Sequence, residues 1–297
     1  MKNKNEIKLG SRLIGINHPP LVIPEIGINH EGNIVKAKQM ILDAYKAGAE
    51  CVKFQCHVID DEMIENNVIP KNANESIWTI MKRCSFSEKE EIELKDFTEE
   101  LGLIYLSTPF SRAAADRLKK IDIPAFKIGS GECNNYPLIK HIASFGKPII
   151  LSTGMNNIQS ITKSVKILRE YNIQFALMHV TSIYPTSYDQ VNLGAMTELS
   201  NTFSDAVIGL SDHSIGNYTS FASIPLGASI IEKHFTSSKK WIGPDIQVSI
   251  DPKELQELII GCQAIKKSLG GKKNILKEMY MGIRSIIAKS LAHSLPI

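Results

Sequence analysis

Nowhere in the chain do about 20 apolar residues run together, which argues against a membrane-spanning helix. No apolar run precedes Pro19, so no secretory leader is expected. The five cysteines, Cys51, Cys56, Cys84, Cys133 and Cys262, are odd in number and show no CxxC spacing. They read as structural thiols of a reducing cytoplasm, not as a disulfide framework or a zinc site. An excess of either charge is missing too: 34 basic against 31 acidic residues leave a net +3 over 297 residues, too balanced for nucleic-acid binding. A small anionic substrate, which needs only local basic groups, stays open.

What the chain does have is repetition. Eight short apolar segments read as strands: Leu21–Gly27, Glu50–Gln55, Leu103–Phe110, Ala125–Glu132, Pro148–Gly154, Phe175–Ser182, Ala206–Asp212 and Ser229–Phe235. Helical periodicity follows each, near 33–47, 88–101, 111–120, 137–144, 158–170, 192–203, 217–226 and 252–268. In the fifth helix Ile158, Ile161, Val165 and Leu168 form an apolar stripe, with Lys163, Lys166, Arg169 and Glu170 opposite. Parallel strands need crossover helices, and eight such units can close on themselves and abolish the sheet edges. The sequence therefore predicts a (β/α)8 TIM barrel over 21–270, preferred to an open doubly wound sheet. Residues 1–20 read as a lead-in that closes the barrel bottom, 56–87 as an excursion on the catalytic face that could cover a substrate, and 271–297 as a short tail.

Polar residues cluster where the strands should end, which is the functional face of this architecture. Lys53 and Gln55 share a strand face, as do Lys127 and Gly129. A lone buried lysine is costly, whereas a bound phosphate or carboxylate offsets that cost, with Ser130, Ser152 and Ser211 completing the oxygen contacts. A Schiff-base lysine is the competing use. His213 and His234 follow neighbouring strands and suit a divalent cation, with acid–base catalysis or simple hydrogen bonding as alternatives. Glu25, Glu132 and Asp245 are carboxylates for proton transfer or for orienting a metal-bound water.

Taken together, EIGINHEG at 25–32, GAECVKFQ at 48–55, STPF at 107–110, FKIGSGE at 126–132, HVTSIYPT at 179–186, GLSDHS at 209–214, EKHF at 232–235 and GPD at 243–245 resemble the sialic acid synthase family. PLIKHIASFGKPIILSTGM at 137–155 extends the likeness across the whole barrel. The resemblance implies condensation of phosphoenolpyruvate with the open-chain aldehyde of an N-acylated hexose, giving a nine-carbon 2-keto sugar acid and phosphate. It places a divalent metal, Mn2+ by preference over Mg2+ or Co2+, on His213 and His234, with Glu25 and Asp245 around a metal-bound water. It gives Glu132 a proton-transfer or sugar-positioning role, and Lys53, Lys127, Ser130, Ser152 and Ser211 to phosphoenolpyruvate. Gln55, Thr108 and Tyr184 fall on pocket motifs that position one or both substrates.

The excursion and SGECNNYP at 130–137 look closer to legionaminate-type synthases than to the simplest N-acetylneuraminate enzymes, so a diacetylated hexose is expected ahead of N-acetylmannosamine. Val180 and Ile246 depart from residues common in the family, cysteine and histidine respectively. Family members continue past the barrel into an antifreeze-like domain that reaches the active site of a homodimer partner and supplies an arginine. Here RSIIAKSLAHSLPI resembles only the approach to it, so the expectation is binding of metal and phosphoenolpyruvate with weakened sugar turnover. A phosphate-binding barrel aldolase or lyase and an impaired scaffold remnant are the alternatives.

Overall fold

The computed structural model describes residues 5–70 and 74–270. Residues 271–297, on which the reading of a truncated linker rests, lie outside the described residues.

A two-stranded antiparallel hairpin comes first, β1 (Glu6–Leu9) and β2 (Arg12–Gly15). Eight parallel strands then close a barrel: β3 (Leu21–Gly27), β4 (Cys51–Cys56), β5 (Ile104–Pro109), β6 (Phe126–Ile128), β7 (Ile149–Ser152), β8 (Phe175–Val180), β9 (Val207–Ser211) and β10 (Ile230–His234). Each pairs with its sequence neighbour, and β10 returns to β3, so the predicted TIM barrel is the fold found. The expected fourth strand is shorter than read. After Ile128 the chain turns into a 3-10 helix at Ser130–Glu132, so the alternation of the strand stops before Glu132.

One alternation organises the whole barrel. Leu21, Ile23, Cys51, Leu106, Ala125, Ile150, Ala176, Val207 and Ile230 face inward and fill the lower interior. Their neighbours Val22, Val52, Tyr105, Phe126, Ile149, Leu151, Ile208 and Ile231 face outward against the helices. Ile7, Leu9 and Ile14 of the hairpin join the inner cluster, and Gln174, just before β8, donates to the Glu6 carbonyl, so the hairpin plugs the strands' N-terminal end. At Gly209 an added Cβ would lie 2.5 Å from Met178 Sδ, so glycine there lets Met178 fill the interior.

The excursion holds a one-turn helix at Ile59–Glu62 and a second helix at Ile77–Cys84 capped by Ser76. Ile80 and Cys84 pack on Ile28 of the loop after β3. Ile158–Glu170 buries Ile161, Val165 and Leu168 and exposes its charges, as its stripe predicts. Among the described residues no helix is long and apolar enough to cross a membrane.

Candidate active site

Above the apolar layers the inward positions turn polar. Glu25, Lys53, Thr108, Lys127, Ser211 and Glu232 succeed the apolar residues on the same inward alternation, and all are buried. With Gln55, Ser152 and His234 they line a cavity of about 520 Å3 at the C-terminal strand ends, joined by the loop residues Ser130, Tyr184, His213 and Asp245.

Glu132 alone among the predicted residues does not line it. Its half-buried carboxylate accepts a 2.6 Å hydrogen bond from Asn135 Nδ2, in the turn that follows the early end of β6. Asn29 and His30 bond elsewhere in the wall. Asn29 donates to the Phe235 carbonyl and Ser249, while His30 stacks on Phe86 with centroids 4.2 Å apart. His179 faces outward and its Nε2 lies 2.6 Å from the Val191 carbonyl. None of residues 56–70 or 74–87 lines the cavity. The excursion reaches it at second hand, through His57, whose Nε2 lies 3.0 Å from Gln55 Oε1 and whose Nδ1 lies 2.8 Å from Glu62.

Glu232 is the residue the motif reading passed over, although EKHF contains it. On β10 it shares the inward parity of His234, and that spacing was its available signal. Its carboxylate stands between the lysines, 3.5 Å from Lys127 Nζ and 3.8 Å from Lys53 Nζ, and accepts from Ser211 Oγ at 3.1 Å. Lys53 also reaches Glu25 at 2.5 Å and Thr108 Oγ1 at 3.1 Å, and Lys127 donates to Ser152 Oγ at 2.6 Å. Gly154 donates its N–H to Ser130 Oγ, and a Cβ there would lie 2.7 Å from that oxygen, so the glycine keeps Ser130 seated at the cavity.

Burial and charge split the two central carboxyls. Burial raises Glu25 to about 7 despite the pull of Lys53. Burial works the same way on Glu232, but Lys127 and Lys53 outweigh it and hold that group down at about 2. Burial likewise opposes the Lys53 charge, yet Glu232 and Glu25 together raise its pKa, whereas burial wins at Lys127 and lowers it. The lysine pair thus stands against one firmly ionised carboxylate, Glu232, and one carboxyl poised near neutrality, Glu25.

At the adjoining wall His213 and His234 have ring centroids 5.5 Å apart. The carbonyl of Thr181 lies 2.8 Å from His213 Nδ1 and accepts a hydrogen bond from its N–H, which leaves the Nε2 lone pair free in the neutral ring. His234 Nδ1 is buried without a hydrogen-bond partner, 3.8 Å from Asp245 Oδ2. Burial lowers the two imidazoles to about 4 and about 3, so both are neutral at pH 7, and it raises Asp245 to about 6. Neutral imidazoles beside an orphaned nitrogen fit a divalent cation. Among the described residues no group of three His, Cys, Asp or Glu side chains forms a fuller ligand set, so the two imidazole nitrogens are the candidate ligands those residues offer.

A closed parallel barrel whose C-terminal mouth gathers two lysines, hydroxyls and carboxyls of opposed proton affinity defines a barrel enzyme for a small anion. The chain belongs to the NeuB family, whose model matches residues 40–274. It is 36% identical to the N,N'-diacetyllegionaminic acid synthase of Campylobacter jejuni, over 91% of this chain and 84% of that protein. It is 32% identical to the human N-acetylneuraminate-9-phosphate synthase, over 96% of this chain and 81% of that protein. A crystal structure of N-acetylneuraminic acid synthetase from Leptospira borgpetersenii, in complex with citrate, superposes with a TM-score of 0.86 at 32% identity, covering 95% of this chain and 96% of that one.

Proposed function

We propose that the chain condenses phosphoenolpyruvate with the open-chain aldehyde of an N-acylated hexose, forming a nine-carbon 2-keto sugar acid and releasing phosphate. The observation that carries this reading is the pair of inward lysines, Lys53 and Lys127, set among Ser130, Ser152 and Ser211 at the floor of the cavity. A substrate bearing both phosphate and carboxylate neutralises two buried ammonium groups whose ion-pair partners among the described residues are Glu232 and Glu25, the latter raised to about 7.

In the reaction C3 of phosphoenolpyruvate bonds to the aldehyde carbon, whose oxygen gains a proton. Water adds at C2 and gives up a proton, and the resulting tetrahedral centre loses phosphate by C–O cleavage to leave the ketone. Glu25, with its proton affinity near neutrality, is placed to take the proton from water. Lys53 and Lys127 hold the phosphate and carboxylate through each step, and Gln55, Thr108 and Tyr184 orient the partners. His213 and His234 would hold a divalent cation, Mn2+ by preference, which supplies Lewis-acid polarisation of the aldehyde. Asp245 lies beside that pair and orients water.

The named kinships include both an N-acetylneuraminate-9-phosphate and a diacetyllegionaminic acid synthase, and a change of hexose substituent leaves the anion contacts intact. A diacetylated hexose is preferred here on the residues of 130–137. The test is an assay with Mn2+, phosphoenolpyruvate and a panel of N-acylated hexoses, following phosphate and 2-keto acid together. Stoichiometric release with one hexose supports the proposal. Absence of phosphoenolpyruvate binding by the folded chain overturns it.

A further inference from the structure

Asp212 and Lys233 each stand one residue before a cavity histidine, and by the same alternation both point out of the barrel wall. Their side chains are fully buried, with Lys233 Nζ 2.9 Å from Asp212 Oδ2. The carboxylate is saturated: Oδ2 also accepts from Thr219 Oγ1 at 2.6 Å and Ser220 Oγ at 2.7 Å, and Oδ1 from the Ser214 N–H at 2.9 Å. Lys233 further donates to the Ser214 carbonyl at 2.8 Å. Lys233 therefore grips the residues on both sides of His213 while being the peptide neighbour of His234.

Two charges are costly to bury, and an apolar pair in their place is often neutral or stabilising, so packing alone is a weak reason for this arrangement. What the pair does geometrically is fix the end of β9 to β10 at the level where the two imidazoles face each other. We propose that Asp212 and Lys233 are positioning residues that set the spacing and orientation of His213 and His234, and with them the affinity of that pair for a divalent cation. This rests on the reading that those two histidines hold the metal.

The experiment titrates Mn2+ into the full chain, following free Mn2+ by electron paramagnetic resonance, for the native protein, His213→Gln, Lys233→Met and the double variant Asp212→Asn/Lys233→Met. Binding of phosphoenolpyruvate and thermal melting are measured in parallel in chelator. Neither residue bonds to an imidazole, so the expected loss of Mn2+ affinity in the double variant is about 10-fold, the low end of what losing a direct hydrogen-bond partner of a metal ligand costs, with a cooperative melt and unchanged metal-free phosphoenolpyruvate affinity. Native Mn2+ affinity in the double variant overturns the positioning role, as does a parallel loss of phosphoenolpyruvate binding, which marks general distortion. No uptake by the native chain, or full uptake by His213→Gln, overturns the metal reading itself. If the double variant does not fold, Asp212→Glu, which keeps both charges but displaces the carboxylate by one methylene, carries the same comparison.

Discussion

The Nζ of Lys53 lies 2.5 Å from Oε2 of Glu25, with both side chains buried on adjacent strands, yet burial still lifts Glu25 to about 7. A cation shared with Glu232 does not neutralise both carboxyls, and an arriving anion competes for the same ammonium group. Lys53→Met removes a charge-assisted contact worth about 1.5–3 kcal/mol. Phosphoenolpyruvate affinity is expected to fall roughly 10- to 100-fold in calorimetry without metal.

Glu232→Gln leaves Lys53 and Lys127 without their firmly ionised partner. The expected result is tighter binding of the anion and slower turnover, a fall in KM together with kcat, because repulsion between the lysines is then relieved mainly by the ligand. Steady-state kinetics with phosphoenolpyruvate varied decides it; a rise in KM with kcat unchanged contradicts it.

Glu25 and Glu132 are separated by position. Glu25→Gln should cost about 10²- to 10⁴-fold in kcat, the usual worth of a proton-transfer group. Glu132→Gln, which keeps an oxygen for Asn135 outside the cavity lining, should stay within about threefold. Comparable losses in the two variants would support the proton-transfer or sugar-positioning role that the family resemblance implies for Glu132.

Burial lowers Lys127, a property shared with amine nucleophiles, so covalent chemistry needs a direct test. Borohydride added with phosphoenolpyruvate or hexose should leave the mass of the chain unchanged. A reduced adduct on Lys127 would favour an aldolase.

His30 is held neutral by burial, its pKa lowered from 6.5 to about 3, with the Gly32 N–H donating to Nδ1. Between those two values the unfolded chain binds one more proton than the folded one at this site. Stability is therefore lost as pH falls below 6.5, by up to about 1.4 kcal/mol per pH unit from this residue. Denaturant melts of His30→Gln between pH 7 and 4 should show a slope shallower by one proton; an unchanged slope refutes it.

The eight strand–helix units were legible because amphipathic periodicity and strand composition are local properties. The polar strand ends were equally legible, since inward apolar positions giving way to Lys53, Lys127 and Ser211 is a pattern along the chain. The sequence by itself thus determined the barrel and twelve of the residues that line its mouth. Side-chain direction was decided by where each strand stops and by closure of β10 onto β3. β6 ends at Ile128, so Glu132 leaves the alternation and the cavity, while β10 runs on to His234, so Glu232 turns in between the lysines and Lys233 turns out to Asp212. The reason is physical: alternation is a local rule, but its phase and partners are set by hydrogen bonds between strands far apart in the chain, and only tertiary structure supplies them.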